Sequence, residues 1–286
     1  MTALAFGLAP ARHAGVPAAW GRAAINALYD ELALYPKPGL VSFVDTGSHD
    51  DMDAGTFLRS LFALRHYFAR IAQLGHDGAG FAALQAAGME AEQRMLMATR
   101  GVNTHRGAIF CLGLLCAAAG ALQRTGMTPC AAGLRDALAL HWGGALSDRS
   151  RALPPSHGMA AVQRHRVRGA NEEAAAGMPV LFEVALPALR RRLAEGHGWR
   201  EARLEALFQV MAVLDDTNLV HRGGLAGLRD AQAAASEFIA AGGVARADAL
   251  AHAEGLHRAF VARRLSPGGA ADVLAAACFV HRVTLA

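Results

Sequence analysis

Five short polar strings interrupt an otherwise apolar chain, and each carries side chains able to handle phosphate, a metal ion or a proton. In Pro36-Lys37-Pro38-Gly39-Leu40-Val41, the two prolines fix the backbone around Lys37 and hold it extended. The string stops a helix, and the stiff turn would also present Lys37 to a phosphate. Gly47-Ser48-His49-Asp50-Asp51-Met52-Asp53 sets three carboxylates within four residues, just before a helical pattern. One carboxylate, Asp53, is enough to cap that helix. Asp50, Asp51 and Asp53 together suit Mg²⁺, which takes oxygen ligands and keeps water and substrate phosphates in its shell.

The third string, Thr99-Arg100-Gly101-Val102-Asn103-Thr104-His105-Arg106-Gly107, leads into an apolar helix. A Gly-bounded turn at a helix N-terminus offers its amides to an anion. Arg100 and Arg106 add charge-assisted donors, and Asn103 and His105 stand beside them. A structural histidine is the plainer alternative for His105. The fourth string runs Asp215-Asp216-Thr217-Asn218-Leu219-Val220-His221-Arg222-Gly223-Gly224, closing one helix and leading towards another. Acidic side chains at a helix C-terminus oppose the macrodipole. A structural role therefore explains Asp215 and Asp216 poorly, which makes them the strongest local anomaly. In the fifth, Ser266-Pro267-Gly268-Gly269-Ala270-Ala271-Asp272, Gly268 and Gly269 let backbone amides approach a ligand. Ser266 could equally be an N-cap, and Asp272 would favour the dipole from the first turn. The chain has no G-x-x-x-x-G-K-[ST] phosphate loop, no G-x-S-x-G elbow and no H-E-x-x-H zinc helix.

Helices must position these strings. Apolar residues make up 53% of the chain and aromatics only 6%, so Ala and Leu carry the packing and favour helix over strand. Phe57, Leu61, Leu64, Phe68 and Ile71 step by four, three, four and three, which puts them on one helical face. Further helices are expected over roughly residues 19–34, 80–98, 107–124, 130–146, 171–176, 179–195, 200–214, 225–241, 246–263 and 269–283. Gly and Pro breakers fall between them, no repeat period is evident, and no long linker divides the chain. The expectation is one all-α domain over residues 1–286, a multi-helix bundle with functional loops at helix ends, and a polar, irregular loop from Ser147 to Arg168.

Charge and cysteine usage exclude several classes. A formal charge of +4 without a basic stripe interleaved with aromatics argues against nucleic-acid binding. Arg190-Arg191-Arg192 reads as a solvated helix end. Cys111, Cys116, Cys130 and Cys278 include no C-x-x-C pair. The first 20 residues lack a basic start, so no secretory signal is read, and the apolar run Ala108–Gln123 falls short of a membrane span. A soluble, cytoplasmic protein is expected.

Taken in order, PKPGLV, GSHDDMD, TRGVNTHRGAIF, DDTNLVHRGG and SPGGAAD resemble the triphosphoribosyl-dephospho-coenzyme A synthase family, which serves citrate lyase and malonate decarboxylase. One departure is that residues 169–174 read GANEEA where the family pattern has GAR-x-EA. Asn171 replaces an Arg, while Glu173 matches the family acid and Arg168 stands close by. The resemblance implies an all-α transferase that moves the triphosphoribosyl unit of ATP to the 2′-hydroxyl of 3′-dephospho-coenzyme A and releases adenine. It also implies inversion at the ribose, because an α linkage is made from a β-nucleoside. Inversion calls for a carboxylate that removes the hydroxyl proton and a donor for the departing base.

On that reading Asp216 or Asp215 is the base or a metal ligand. Asp50, Asp51 and Asp53 hold Mg²⁺, and His105 or His221 assists the leaving adenine. Lys37, Arg100, Arg106 and Arg222 meet phosphates, with Asn103, Glu173, Asn218, Ser266, Gly268, Gly269 and Asp272 completing the substrate contacts. ATP and 3′-dephospho-coenzyme A are the small-molecule partners; a downstream acyl carrier protein transferase and a second copy of the chain are further candidates. The Ala- and Arg-rich composition favours the malonate decarboxylase system. Three rivals stand beside this. An isoprenoid-diphosphate synthase would need D-D-x-x-D, where the chain has D-D-x-D and D-D-x-N. A Mg-dependent ADP-ribosyl hydrolase would use water as acceptor, and a helical adaptor for an acyl carrier would release no adenine.

Overall fold

The computed structural model describes residues 15–152 and 167–285, and its regular elements are all helical, with no strand among the described residues. The chain runs through α1 (Gly15–Ala33), α2 (Ala54–Leu64), α3 (Tyr67–His76), α4 (Phe81–Ala98), α5 (Arg106–Arg124) and α6 (Ala131–Ala152). Then come α7 (Ala170–Ala175), a π-helical segment (Val180–Ala185) continuing into α8 (Leu186–Ala194), and α9 (Trp199–Val213). The last elements are α10 (Thr217–Ala240), a 3₁₀ turn (Gly243–Ala245), α11 (Ala249–Ala262) and α12 (Gly268–Val283).

Helix α5 is the hub, packed by α3, α4, α6, α12 and α1, and nearly every side chain from Ala108 to Leu122 is buried. It is long and apolar enough to cross a membrane, but its apolar surface faces other helices of the bundle. Glycines make that crowding feasible. A Cβ on Gly75 would sit 2.0 Å from the Ala117 carbonyl oxygen, and one on Gly120 would sit 1.9 Å from that of Ala72. Backbone-to-backbone approach of α3 and α5 thus replaces the bulky side chains the composition lacks, at the packing density interiors require.

Several expected boundaries move. The Phe57–Ile71 face is carried by two helices, broken at Arg65 and His66, and Phe57 turns towards a cavity instead of the core. Residues 147–152 are the end of α6 and not loop; residues 153–166 of the expected irregular stretch lie outside the described residues, as do residues 1–14 with the question of a leader. The helix expected at 179–195 opens as a π segment, with the Leu186 amide bonded back to the Leu181 carbonyl. Pro187 explains this, because it has no N–H for the carbonyl four residues earlier, and the ladder widens around the gap. The helix expected from 225 begins at Thr217 and kinks at Gly224, whose φ of 65° and ψ of −168° interrupt the spiral.

Candidate active site

Three helix N-termini converge on one region: those of α5, α10 and α12. Each leaves amides without intrahelical partners, and two aspartates supply the acceptors. Asp216 is the N-cap of α10, its Oδ1 accepting from the amides of Asn218 (2.8 Å) and Leu219 (3.4 Å). Its Oδ2 accepts from Ala270 in the first turn of α12 at 3.0 Å. One buried carboxylate therefore ties two helices together. This corrects the expectation that Asp216 ends a helix against its dipole: it begins the next one, where negative charge is favourable. Asp272, in α12, accepts from the amide of Ala108 in the first turn of α5. It caps α5 from a neighbouring helix, since His105 at the N-cap position makes no side-chain capping bond. Asn103 Oδ1 takes the Arg106 amide at 3.1 Å.

Gly107 completes the junction. A Cβ there would lie 1.9 Å from Asp272 Oδ2, so only glycine lets this carboxylate reach the helix end. Two cavities open on either side, of about 300 and 110 Å³, and both are lined by Gly107 and Asp272.

The smaller cavity is polar on one side and bounded by Leu28, Leu40, Met52 and Phe57 on the other. Arg222, at its rim, donates through Nη2 to His49 Nδ1 (2.9 Å) and through Nη1 to the Ser48 carbonyl (3.0 Å). A guanidinium is only a donor, so His49 Nδ1 accepts and its Nε2–H donates to Ser266 Oγ at 2.9 Å. The Ser266 hydroxyl hydrogen is thereby left to point elsewhere. Burial, followed by the Arg222 charge, pulls the His49 pKa below its ordinary value and keeps the ring neutral. Ser266 is thus held by His49, and the N-cap of α12 is Pro267 rather than Ser266.

His105 is buried, with Nδ1 on Ser60 Oγ at 2.6 Å and Nε2 without a partner. Burial first, and the Lys37 charge second, push its pKa down to about 3. At neutral pH it can offer a hydrogen bond but has no imidazolium proton to give. Thr104 Oγ1, on the same cavity, is also buried and unpartnered. Unsatisfied buried polar atoms are costly, and two at one cavity mark a place where a ligand supplies the missing partner.

Lys37 is not presented to a phosphate. It is fully buried, and its Nζ donates to the Glu31 carbonyl (2.7 Å) and to Glu31 Oε1 (2.5 Å). Burial lowers its pKa against the opposing pull of Glu31. Glu31 itself lines the smaller cavity.

The larger cavity has an apolar wall that includes Phe110, Met178, Leu181, Leu214 and Val273, and a polar mouth. At the mouth Arg168 donates through its backbone amide to Asp215 Oδ2 (3.1 Å) and through its side chain to Glu173 Oε2 (3.4 Å). Glu173 Oε1 takes the Val180 amide at 2.7 Å. Arg168 therefore stands beside the family acid, whereas Asn171 lines neither cavity. Desolvation raises the pKa of Asp216 despite its backbone donors. Asp272 rises further, through burial and then the neighbouring charges of Glu31 and Asp216.

Of the expected residues, Asn103, His105, Arg106, Asn218, Arg222, Ser266, Gly268 and Asp272 meet around the smaller cavity, and Glu173, Asp215, Asp216, Gly269 and Asp272 around the larger. The Arg106 side chain is paired with Glu92 at the surface. Arg100 and His221 are exposed and line neither cavity. The expected metal triad does not converge. Asp50 is exposed and paired with Arg264, Asp51 is exposed near His49, and Asp53 closes a capping box with Thr56 at the start of α2. Among the described residues no three His, Cys, Asp or Glu side chains are grouped to hold a metal. Glu31 and Ser60 are site residues outside all five strings, while His49 and Thr104 lie inside them with no site role expected of them. Glu31 was detectable, since it falls on the buried face of α1 with Ala24, Ala27 and Leu28, where a carboxylate needs a reason.

A family model described as ATP:dephospho-CoA triphosphoribosyl transferase matches residues 17–286. A protein from Pseudomonas fluorescens, named a probable 2-(5''-triphosphoribosyl)-3'-dephosphocoenzyme-A synthase, is 42% identical over 266 residues, covering 91% of this chain and 89% of its own. Similarly named proteins from Acinetobacter calcoaceticus and Vibrio cholerae are 37% identical (90% and 88% covered) and 35% identical (94% and 89% covered). No solved structure matches.

Proposed function

We propose, from the premise that this chain belongs to the ATP:dephospho-CoA triphosphoribosyl transferase family, that its two cavities are the donor and acceptor sites of one displacement. The chain is a transferase, and the observation that carries the reading is the wall the cavities share, Gly107 and Asp272. The donor nucleotide occupies the larger cavity, its adenine against the apolar wall and its triphosphate at the mouth beside Arg168. The acceptor ribose enters the smaller cavity, where Arg222, Ser266 and Thr104 meet its hydroxyls and 5′-phosphates. Ribose C1′ then lies at the shared wall, with the acceptor hydroxyl on one side and adenine on the other, as inversion requires.

Asp216 holds this geometry in place. Both of its oxygens are engaged by backbone amides, so it positions the two helix ends in preference to exchanging a proton. His105, neutral and anchored on Ser60, orients a bound ribose or base by hydrogen bonding. The mouth of the larger cavity sets the carboxylates of Glu173 and Asp215 against a single cation, Arg168. A bare triphosphate would be repelled there, so the donor set suits a Mg²⁺–ATP substrate, with Asp215 and Glu173 at the mouth to receive it. Bound Mg²⁺ would neutralise phosphate charge. Asp50, Asp51 and Asp53 are less suited to that task. We further place the enzyme in the cytoplasm, where ATP is supplied, and in the service of malonate decarboxylase, the assignment its composition favours.

Incubation with ATP, Mg²⁺ and 3′-dephospho-coenzyme A should yield free adenine and the ribosylated product in equal amounts, read by mass spectrometry. Adenine released at an equal rate without the acceptor would show a hydrolase and overturn the proposal.

A further inference from the structure

We propose that Glu31 and Asp272 are the proton-transfer pair of the reaction, Glu31 accepting the proton of the acceptor hydroxyl and Asp272 delivering one to the departing adenine. This rests on the substrate placement proposed above. Glu31 belongs to none of the five polar strings, yet it is a buried carboxylate lining the smaller cavity, where the acceptor hydroxyl would lie. Its ammonium partner, Lys37, is fully buried and bonded only to Glu31 among the described residues. A buried lysine and glutamate are costly to desolvate, and their placement beneath a cavity gives the pair a use. Asp272 differs in every respect that matters. It lines both cavities, receives one backbone amide, and has no ion-pair partner among the described residues.

The groups around the pair sharpen the division. Facing Asp272 are Glu31 from α1, Asp216 before α10, and Cys111 from α5. Asp216 is taken up by backbone amides, and burial keeps the Cys111 thiol protonated. Facing Glu31 are Lys37 and Asp272, with neutral His105 beyond Lys37. The geometry divides the two roles: Glu31 is held as the partner of the Lys37 ammonium, whereas Asp272 has acids and, among the described residues, no cation beside it. Burial and the charges of Glu31 and Asp216 favour the protonated form of Asp272.

The ledger closes. The C1′–N9 bond breaks as the C1′–O2′ bond forms; the hydroxyl proton goes to the Glu31 carboxylate, and the Asp272 carboxyl proton goes to a nitrogen of adenine. After products leave, the proton passes from Glu31 to Asp272, its electrostatically coupled neighbour, and the pair is reset.

Glu31→Gln and Asp272→Asn are each expected to lower turnover by about 10²- to 10⁴-fold, with ATP binding and helical circular dichroism retained. The two roles separate with a donor carrying nicotinamide in place of adenine, whose leaving group departs without needing a proton. Asp272→Asn should recover to within about tenfold of wild type on that donor, and Glu31→Gln should not. Because Glu31→Gln strands a buried ammonium, Glu31→Gln/Lys37→Met is measured beside it and should fold, bind ATP and stay inactive. Activity in the double variant overturns the base role, and equal impairment of Asp272→Asn on both donors overturns the acid role. Wild-type protein that releases no adenine with both substrates defeats the proposed function itself, whereas active wild type with active variants defeats only the pair.

Discussion

His105 gives the site its clearest pH signature. Its folded pKa of about 3 lies below the 6.5 of a free imidazole. The unfolded chain therefore binds the proton first as pH falls. The stabilising contribution is complete above pH 6.5 and is lost progressively towards pH 3. Between pH 7 and pH 5 that amounts to about 2 kcal/mol. Asp216 and Asp272, with raised pKa values, pull the opposite way, so the comparison must isolate His105. Urea unfolding of wild type and His105→Gln at both pH values should show the wild type losing about 2 kcal/mol more than the variant; parallel losses would mean that His105 titrates normally. Ser60→Ala tests the anchor: with Nδ1 released from its 2.6 Å partner, KM for the acceptor should rise about tenfold with little change in kcat. At this scale the strings contain many of the polar residues that line the cavities, but spacing alone does not say where they point. Lys37 lay in a motif and turned inward to Glu31, and His49 was overshadowed by the three aspartates that follow it.

Helix ends decide the next scale. In sequence Asp216 reads as closing a helix, because the polar, Gly-containing stretch 217–224 hides the start of the next one, which begins at Thr217. Only tertiary structure reveals that it also holds Ala270, 54 positions away. Asp216→Ala should cost about 2–4 kcal/mol in urea unfolding, because a lost cap and an orphaned amide at a second helix add together. Asp216→Asn should cost less, since Asn retains one acceptor oxygen. A loss under about 0.5 kcal/mol for the Ala variant would remove Asp216 from its tying role. The same scale explains what the periodicity read correctly. Most helices fall within a few residues of expectation because Ala/Leu faces and Gly/Pro breakers are local signals. The split at Arg65–His66 and the π segment were missed because each leaves the spacing of apolar residues almost intact. Gly120→Ala probes the α3–α5 approach, where a Cβ 1.9 Å from a carbonyl oxygen should lower stability by about 1–3 kcal/mol.

For the whole molecule, the two adjoining cavities predict kinetics of a definite form. Both substrates must be present before chemistry, so initial rates with varied ATP and 3′-dephospho-coenzyme A should give intersecting reciprocal plots. Parallel lines would instead point to a covalent ribosyl-enzyme and a ping-pong cycle. The all-α class follows from composition, whereas the convergence of α5, α10 and α12 joins strings far apart in the sequence and has no local signature. The family resemblance supplied the chemistry in advance, but the division of labour between cavities depends on packing.

The contact between Gly107 and Asp272 has a consequence for inhibitor design. The two chambers share Gly107 and Asp272 in their walls, so a compound that occupies both would need a linker that passes this junction. Such a compound would join two modest affinities through a high effective concentration. It would also meet Asp272, the side chain common to both linings. A longer or bulkier tether would have to force α12 away from α5, so tolerance for linker length should fall off steeply.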